Sequence, residues 1–160
     1  MIDVVMARED IPPGLSVFLA GPSAERGDQS WRPAAISELE QQWPGARQLH
    51  VLSPESRGGV RAEHYEDQFR WELAARHQAT AVLFWIPRDV TKMPGFTTNV
   101  EFGHDIGRGR LLVLGCPPDC PNPERNRYLI ALANAAGAPV RTTLRETVST
   151  AITMVLRAND

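Results

Sequence analysis

Thr80-Ala81-Val82-Leu83-Phe84-Trp85-Ile86, closed by Pro87, is the stretch on which the fold turns. A strand with one face in water alternates apolar and polar residues, whereas this run is almost wholly apolar. Both of its faces are therefore covered, as in a central parallel strand between helical layers. The segment before it, Arg61 to Gln78, has neither proline nor glycine. It brings Tyr65, Phe69, Glu72, Leu73 and Arg76 together on a helical surface, so a long amphipathic helix feeds the strand.

Outward from this unit the same alternation repeats. Ser16-Val17-Phe18-Leu19-Ala20, stopped by Gly21-Pro22, reads as a buried strand followed by a turn. Ser23 to Ser30 reads as polar loop. Trp31 to Trp43 has Ala35, Ile36 and Leu39 at helical spacing before Pro44-Gly45, and Gln48 to Leu52 reads as a second strand. Beyond the central strand come a loop from Arg88 to Thr97, a helix from Asn99 to Arg108 and a strand over Leu111 to Leu114. A Cys/Pro-rich loop follows, then a helix over Asn126 to Ala136, a short edge strand over Ala138 to Arg141 and a last helix over Leu144 to Leu156. Strands and helices in alternation imply right-handed crossovers and a parallel sheet of about five strands.

The 160 residues suit a single domain spanning 1–160, with no internal repeat or low-complexity tract. A formal net charge of -2 gives no general attraction to nucleic acid polymers or to membranes. No run approaches the ~18 apolar residues of a membrane span, and Met1 to Leu15 lacks the basic start and apolar core of a secretory signal. Cys116 and Cys120, in Cys-Pro-Pro-Asp-Cys-Pro, lack two further ligands for zinc and are expected to be free thiols of a cytoplasmic protein.

Ligands of open α/β sheets bind beyond the carboxyl ends of the strands, where the strand order reverses. That selects the loops Gly21 to Ser30, Ser53 to Gly59 and Pro87 to Glu101. With their flanks they hold Asp28, Trp31, Arg32, Glu55, Arg57, Asp89 and Glu101, a set suited to a small polar ligand.

Glu101 has two readings. As local structure, Thr98 caps a helix and Glu101, three residues on, closes a Thr-x-x-Glu capping box. As chemistry, amide dipoles at the helix start keep the carboxylate ionised for attack on an electrophilic carbon. Gly103 and Gly107, on one helical face, suit a close approach to sheet or ligand, or plain packing.

Phe18-Leu19-Ala20-Gly21-Pro22, Trp31-Arg32, Trp71-Glu72, Phe84-Trp85-Ile86-Pro87 and Asn99-Val100-Glu101-Phe102-Gly103 occur in this order between about Ser16 and Leu114. Their order and spacing resemble those of the nucleoside 2-deoxyribosyltransferase-like family. The resemblance implies a flavodoxin-like α/β fold, a three-layer sandwich. It also implies cleavage of the N-glycosidic bond of a (deoxy)nucleoside or nucleoside 5′-monophosphate, with transfer to another base or hydrolysis. The nucleophile it implies is Glu101, acting through a glycosyl-enzyme intermediate.

A departing base needs a proton or a hydrogen bond, so a second acid is expected, and Glu72, Asp67 and Asp89 are the candidates. On the resemblance the catalytic set is Glu101, Glu72 and Asp89, and the substrate-binding set is Gly21, Pro22, Trp31, Arg32, Trp71 and Asn99. Phe18 departs from the pattern, because the deoxyribosyltransferases have there a tyrosine whose hydroxyl orients the nucleophile. Tyr65 is a candidate to replace it. Trp31, Trp71 and Trp85 are of a type that stacks on nucleobases, and Arg32 and Arg57 of a type that binds phosphate.

The resemblance and the apolar aromatics on helices favour a homo-oligomer. No metal or organic cofactor is expected: no histidine has metal-ligand spacing, and the first loop lacks both G-x-G-x-x-G and the P-loop lysine. No G-x-S-x-G marks a serine hydrolase. The rival reading is a non-catalytic nucleotide-binding sensor that acts through a partner.

Overall fold

The computed structural model describes residues 1–24, 27–45 and 47–159. Glu25 and Arg26, in the polar loop expected from Ser23 to Ser30, lie outside the described residues. In chain order the elements are β1 (Ile2–Met6), β2 (Ser16–Ala20), α1 (Arg32–Gln42), β3 (Leu49–Ser53), α2 (Tyr65–Gln78), β4 (Ala81–Trp85) and α3 (Phe96–Gly107). After them come β5 (Leu112–Gly115), α4 (Arg127–Ala135), β6 (Val140–Arg141) and α5 (Leu144–Arg157). Short 3₁₀ turns occupy Arg57–Gly59 and Pro123–Asn126.

Among the described residues the strands form one parallel sheet in the order β1-β3-β2-β4-β5-β6. Alternate side chains of each strand point to opposite faces, and the two cores follow that period. Phe18, Ala20, Val82, Phe84, Leu112 and Leu114 build one core, with Trp71 and Ala75 of α2, Phe102 of α3 and Leu129 of α4. Val17, Leu19, Leu83, Trp85 and Val113 build the other, with Ala35 and Leu39 of α1 and Val148 and Ile152 of α5. This is the α/β sandwich of the flavodoxin-like type, and β4 is buried along its length as its sequence requires.

β1 is a sixth strand beyond the five expected. It extends the sheet edge beside β3, in register from Ile2 opposite Leu49 to Met6 opposite Ser53. Asp3 interrupts its apolar pattern, and the structure uses that break: Asp3 Oδ2 lies 2.9 Å from Nδ1 of the buried His50.

The start of α3 needs a larger correction. The helix begins at Phe96, not Asn99, and its N-cap is Gly95 in the left-handed conformation (φ 69°) with no side-chain cap. A Cβ on Gly95 would lie 2.8 Å from Arg88 Nη1, so the tight turn favours glycine for both conformation and space. Thr98 is consequently a buried residue of the first turn rather than a cap, and no Thr98–Glu101 capping box forms. Gly103 and Gly107 face open space: a methyl group added at either would meet nothing within 4 Å. A threonine cap does occur at α5, where Thr143 Oγ1 accepts from the Glu146 amide at 3.2 Å.

Candidate functional site

β2 lies between β3 and β4, and the crossovers from β2 to β3 and from β3 to β4 run in opposite directions across the sheet, so the strand order reverses at the carboxyl end of β2. A cavity of about 390 Å³ opens there. β2 and the turn after it supply Phe18, Ala20, Gly21, Pro22 and Ser23; α2 supplies Tyr65 and Glu72. The segment after β4 supplies Lys92, Pro94 and Gly95, and α3 adds Thr98 and Glu101, with Phe96 and Tyr65 exposed at the edge. Pockets of a few hundred Å³ accommodate small organic ligands. A second hollow of about 810 Å³ adjoins the first, with Ser23, Pro54 and Tyr65 in both walls.

The turn after β2 is built around absent volume. A Cβ on Gly21 would come within 2.2 Å of the Trp85 carbonyl oxygen and 2.8 Å of Trp31 Cζ2. Trp31 closes the turn from behind, its indole N–H donating to the Pro22 carbonyl at 3.0 Å. Arg32 is buried beneath the same turn, where Nε donates to Leu19 O at 3.2 Å and Nη2 to Gly21 O at 2.8 Å. Its Nη1 reaches Glu55 Oε1 at 3.3 Å. Burial depresses the Arg32 pKa and Glu55 opposes that shift.

On the opposite wall, Arg88 anchors the start of α3. It donates from Nε to Asn126 Oδ1 at 2.9 Å, from Nη1 to Pro94 O at 2.5 Å and from Nη2 to Asn99 Oδ1 at 2.7 Å. Glu101, in the second turn of α3, is thereby carried on a fixed helix.

The Glu101 side chain is 12% exposed, and its Oε1 lies 3.1 Å from Arg76 Nη1. Arg76 in turn engages the fully buried Asp105, from Nε to Oδ2 at 3.0 Å and from Nη2 to Oδ1 at 3.1 Å. One cation thus serves two carboxylates, with Glu72 close enough to repel the first. Burial pushes the Glu101 carboxyl up to about 7, Arg76 opposes the shift and Glu72 adds to it. Helix dipoles act within the first turn, so they are not what holds this charge; the earlier start of α3 leaves that task to Arg76.

The profile of the family described as Nucleoside 2-deoxyribosyltransferase like matches residues 14–120, most of the chain. The chain belongs to that family. Comparison with curated proteins finds no match.

Within this nucleoside 2-deoxyribosyltransferase-like fold, the cavity brings together Glu101, Glu72, Gly21, Pro22, Arg32 and, exposed at its edge, Tyr65 of the residues singled out in sequence. The others stand elsewhere. Trp31 is beneath the wall, and Trp71 is a core residue whose indole N–H donates to Glu9 O at 2.7 Å. Asn99 turns its carbonyl to Arg88, and Asp89 accepts the Thr91 and Lys92 amides in a loop turn. Asp67 lies exposed in the first turn of α2, and Arg57 pairs with Glu9 at 2.5 Å. Asp28 and Glu55 border the adjoining hollow.

Behind Glu101 the structure places Asp105, to which sequence reasoning assigned no role, and gives Arg76 a partner set that no local pattern shows. The available signal was spacing: Asp105 follows Glu101 by four residues and shares its helical face.

Cys116 and Cys120 are free, and burial pushes the Cys116 thiol up to about 12. Among the described residues no group of three or more His, Cys, Asp or Glu is arranged to hold a metal ion, and no helix is long and apolar enough to cross a membrane.

Proposed function

We propose that the protein cleaves the N-glycosidic bond of a (deoxy)nucleoside or nucleoside 5′-monophosphate, with Glu101 as nucleophile. The observation that carries this reading is a buried carboxylate, incompletely compensated by one shared arginine, in a nucleoside-sized cavity at the strand-order reversal. Family membership supplies the substrate class.

The electrostatics favour the transition state over the resting state. In the resting site Arg76 is divided between two carboxylates, so the Glu101 anion is under-stabilised. As the bond to the base breaks, positive charge develops at the anomeric carbon and supplies the missing compensation. Glu101 then forms a bond to that carbon while the C–N bond pair leaves with the base. Glu72 is the one of the three acid candidates that shares the cavity, and Gln68 Nε2 holds it at 2.7 Å, so it is assigned to hydrogen-bond or protonate the departing base. Water or a second base next attacks the same carbon and releases Glu101, giving hydrolysis or transfer.

Incubation with a panel of deoxynucleosides, ribonucleosides and their monophosphates, with and without an acceptor base, tests the reading by chromatography. Free base without acceptor signifies hydrolysis, and an exchanged nucleoside signifies transfer. Binding by calorimetry with neither product would contradict catalysis and support a sensor. A homo-oligomer, implied by the resemblance, belongs to the same reading and is checked by light scattering.

A further inference from the structure

The sequence resemblance assigns orientation of the nucleophile to a tyrosine hydroxyl in the first matching strand, and Phe18 has none. We propose that Arg76, fixed by Asp105, is the positioning residue that takes over this task. The inference rests on the reading of Glu101 as nucleophile.

Three contacts specify the role. Nε and Nη2 of Arg76 are both committed to Asp105, a two-point contact that fixes the plane of the guanidinium. Nη1 is left to meet Glu101 Oε1 at 3.1 Å. Glu101 and Asp105 lie one turn apart on α3, so a single arginine from α2 reaches both. An arginine that merely tied the two helices would need Asp105 alone. The third contact reaches into the cavity and selects one carboxylate oxygen, Oε1. Lysine, a point charge on a flexible stem, cannot reproduce this fork.

The charged surroundings are mixed. Glu72 and Arg76 face Glu101 from α2, Asp105 from α3 and Arg32 from α1, and Phe18 of β2 contributes no charge. Behind Arg76, His104 Nδ1 lies 3.3 Å from Nη2, and its ring stacks on His77 with centroids 5.6 Å apart. Arg108 acts on His77 from the end of α3. Arg76 is the cation that bonds Glu101 directly, so its removal has a readable sign. Burial opposes its charge, while Asp105 and Glu101 together outweigh burial and raise its pKa.

The test follows Glu101 by carboxyl-carbon NMR, assigned through Glu101→Gln, together with the pH dependence of kcat and KM. The variants are Arg76→Lys and the double substitution Arg76→Met with Asp105→Asn, which removes both members of the fully buried pair, so that Glu101 is the one carboxylate left without its cation. In the double variant the Glu101 midpoint should rise by about one pH unit or more, and kcat should fall roughly 100-fold with KM little changed. Arg76→Lys should titrate near the wild-type midpoint and still lose at least roughly tenfold in kcat. An unchanged Glu101 midpoint in the double variant, or full kcat in Arg76→Lys, would overturn the proposal. Absence of turnover in the wild type overturns the nucleophile reading instead. The NMR midpoint then still decides the contact: an upward shift supports control of Glu101 by Arg76, and an unchanged value refutes it.

Discussion

Arg88 Nη2 donates to Asn99 Oδ1 at 2.7 Å, tying the end of the central strand to the helix that carries Glu101. The same buried guanidinium bonds Asn126, Pro94 and Gly95. Arg88→Met leaves several acceptors unpaired and should cost roughly 3 kcal/mol or more by urea denaturation, against about 1 kcal/mol for Asn99→Ala. Equal losses in the two variants would show that the other three contacts contribute little.

Glu101→Gln should stabilise the protein while ending turnover. The folded pKa of about 7 exceeds the ordinary value of 4.5, so the folded state binds the proton more tightly than the unfolded chain does. Stability from this group is present below the unfolded value and is lost as pH rises through about 7. A neutral glutamine escapes that loss, with a gain on the order of 3 kcal/mol at most at alkaline pH. Thermal unfolding should therefore show a higher Tm for the variant at about pH 8 and little difference at about pH 4. A variant less stable at the alkaline pH would show that the ion pair with Arg76 outweighs the cost of burial.

The same ionisation sets the activity profile. Attack requires the carboxylate, so kcat/KM should rise with pH along a limb centred near 7, the value burial imposes on Glu101. A profile flat from about pH 5 to about pH 9 would place the essential ionisation elsewhere.

Gly21→Ala should be poorly tolerated. The added methyl would meet a backbone oxygen, Trp85 O at 2.2 Å, which cannot swing aside as a flexible side chain does. Relief requires β2 and β4 to part at the cavity mouth. A loss of about 1 to 3 kcal/mol or more is expected from chemical denaturation, and wild-type stability would show that the turn relaxes freely.

The architecture was legible where local chemistry and tertiary role agree. Thr80 to Ile86 is apolar because β4 is covered on both faces, and Gly21-Pro22 ends β2 because the turn has no room for a side chain. Legibility failed where a local pattern had two meanings. Thr98 and Glu101 have capping-box spacing, but the left-handed turn at Gly95, braced by Arg88, starts the helix earlier. β1 was hidden because an edge strand with Asp3 in it lacks an unbroken apolar run. Arg76 and Asp105, 29 residues apart, meet only after α2 and α3 pack against the sheet, which no spacing rule reports.

A covalent intermediate on Glu101 can be sought directly by mass spectrometry after incubation with a nucleoside fluorinated at C2 of the sugar. The fluorine destabilises the oxocarbenium-like state and slows release of the glycosyl group. Covalent catalysis at Glu101 requires a mass gain of one fluorinated sugar, mapped to the peptide containing Glu101 and absent from Glu101→Gln. Attachment to another residue, or full turnover by Glu101→Gln, would contradict it.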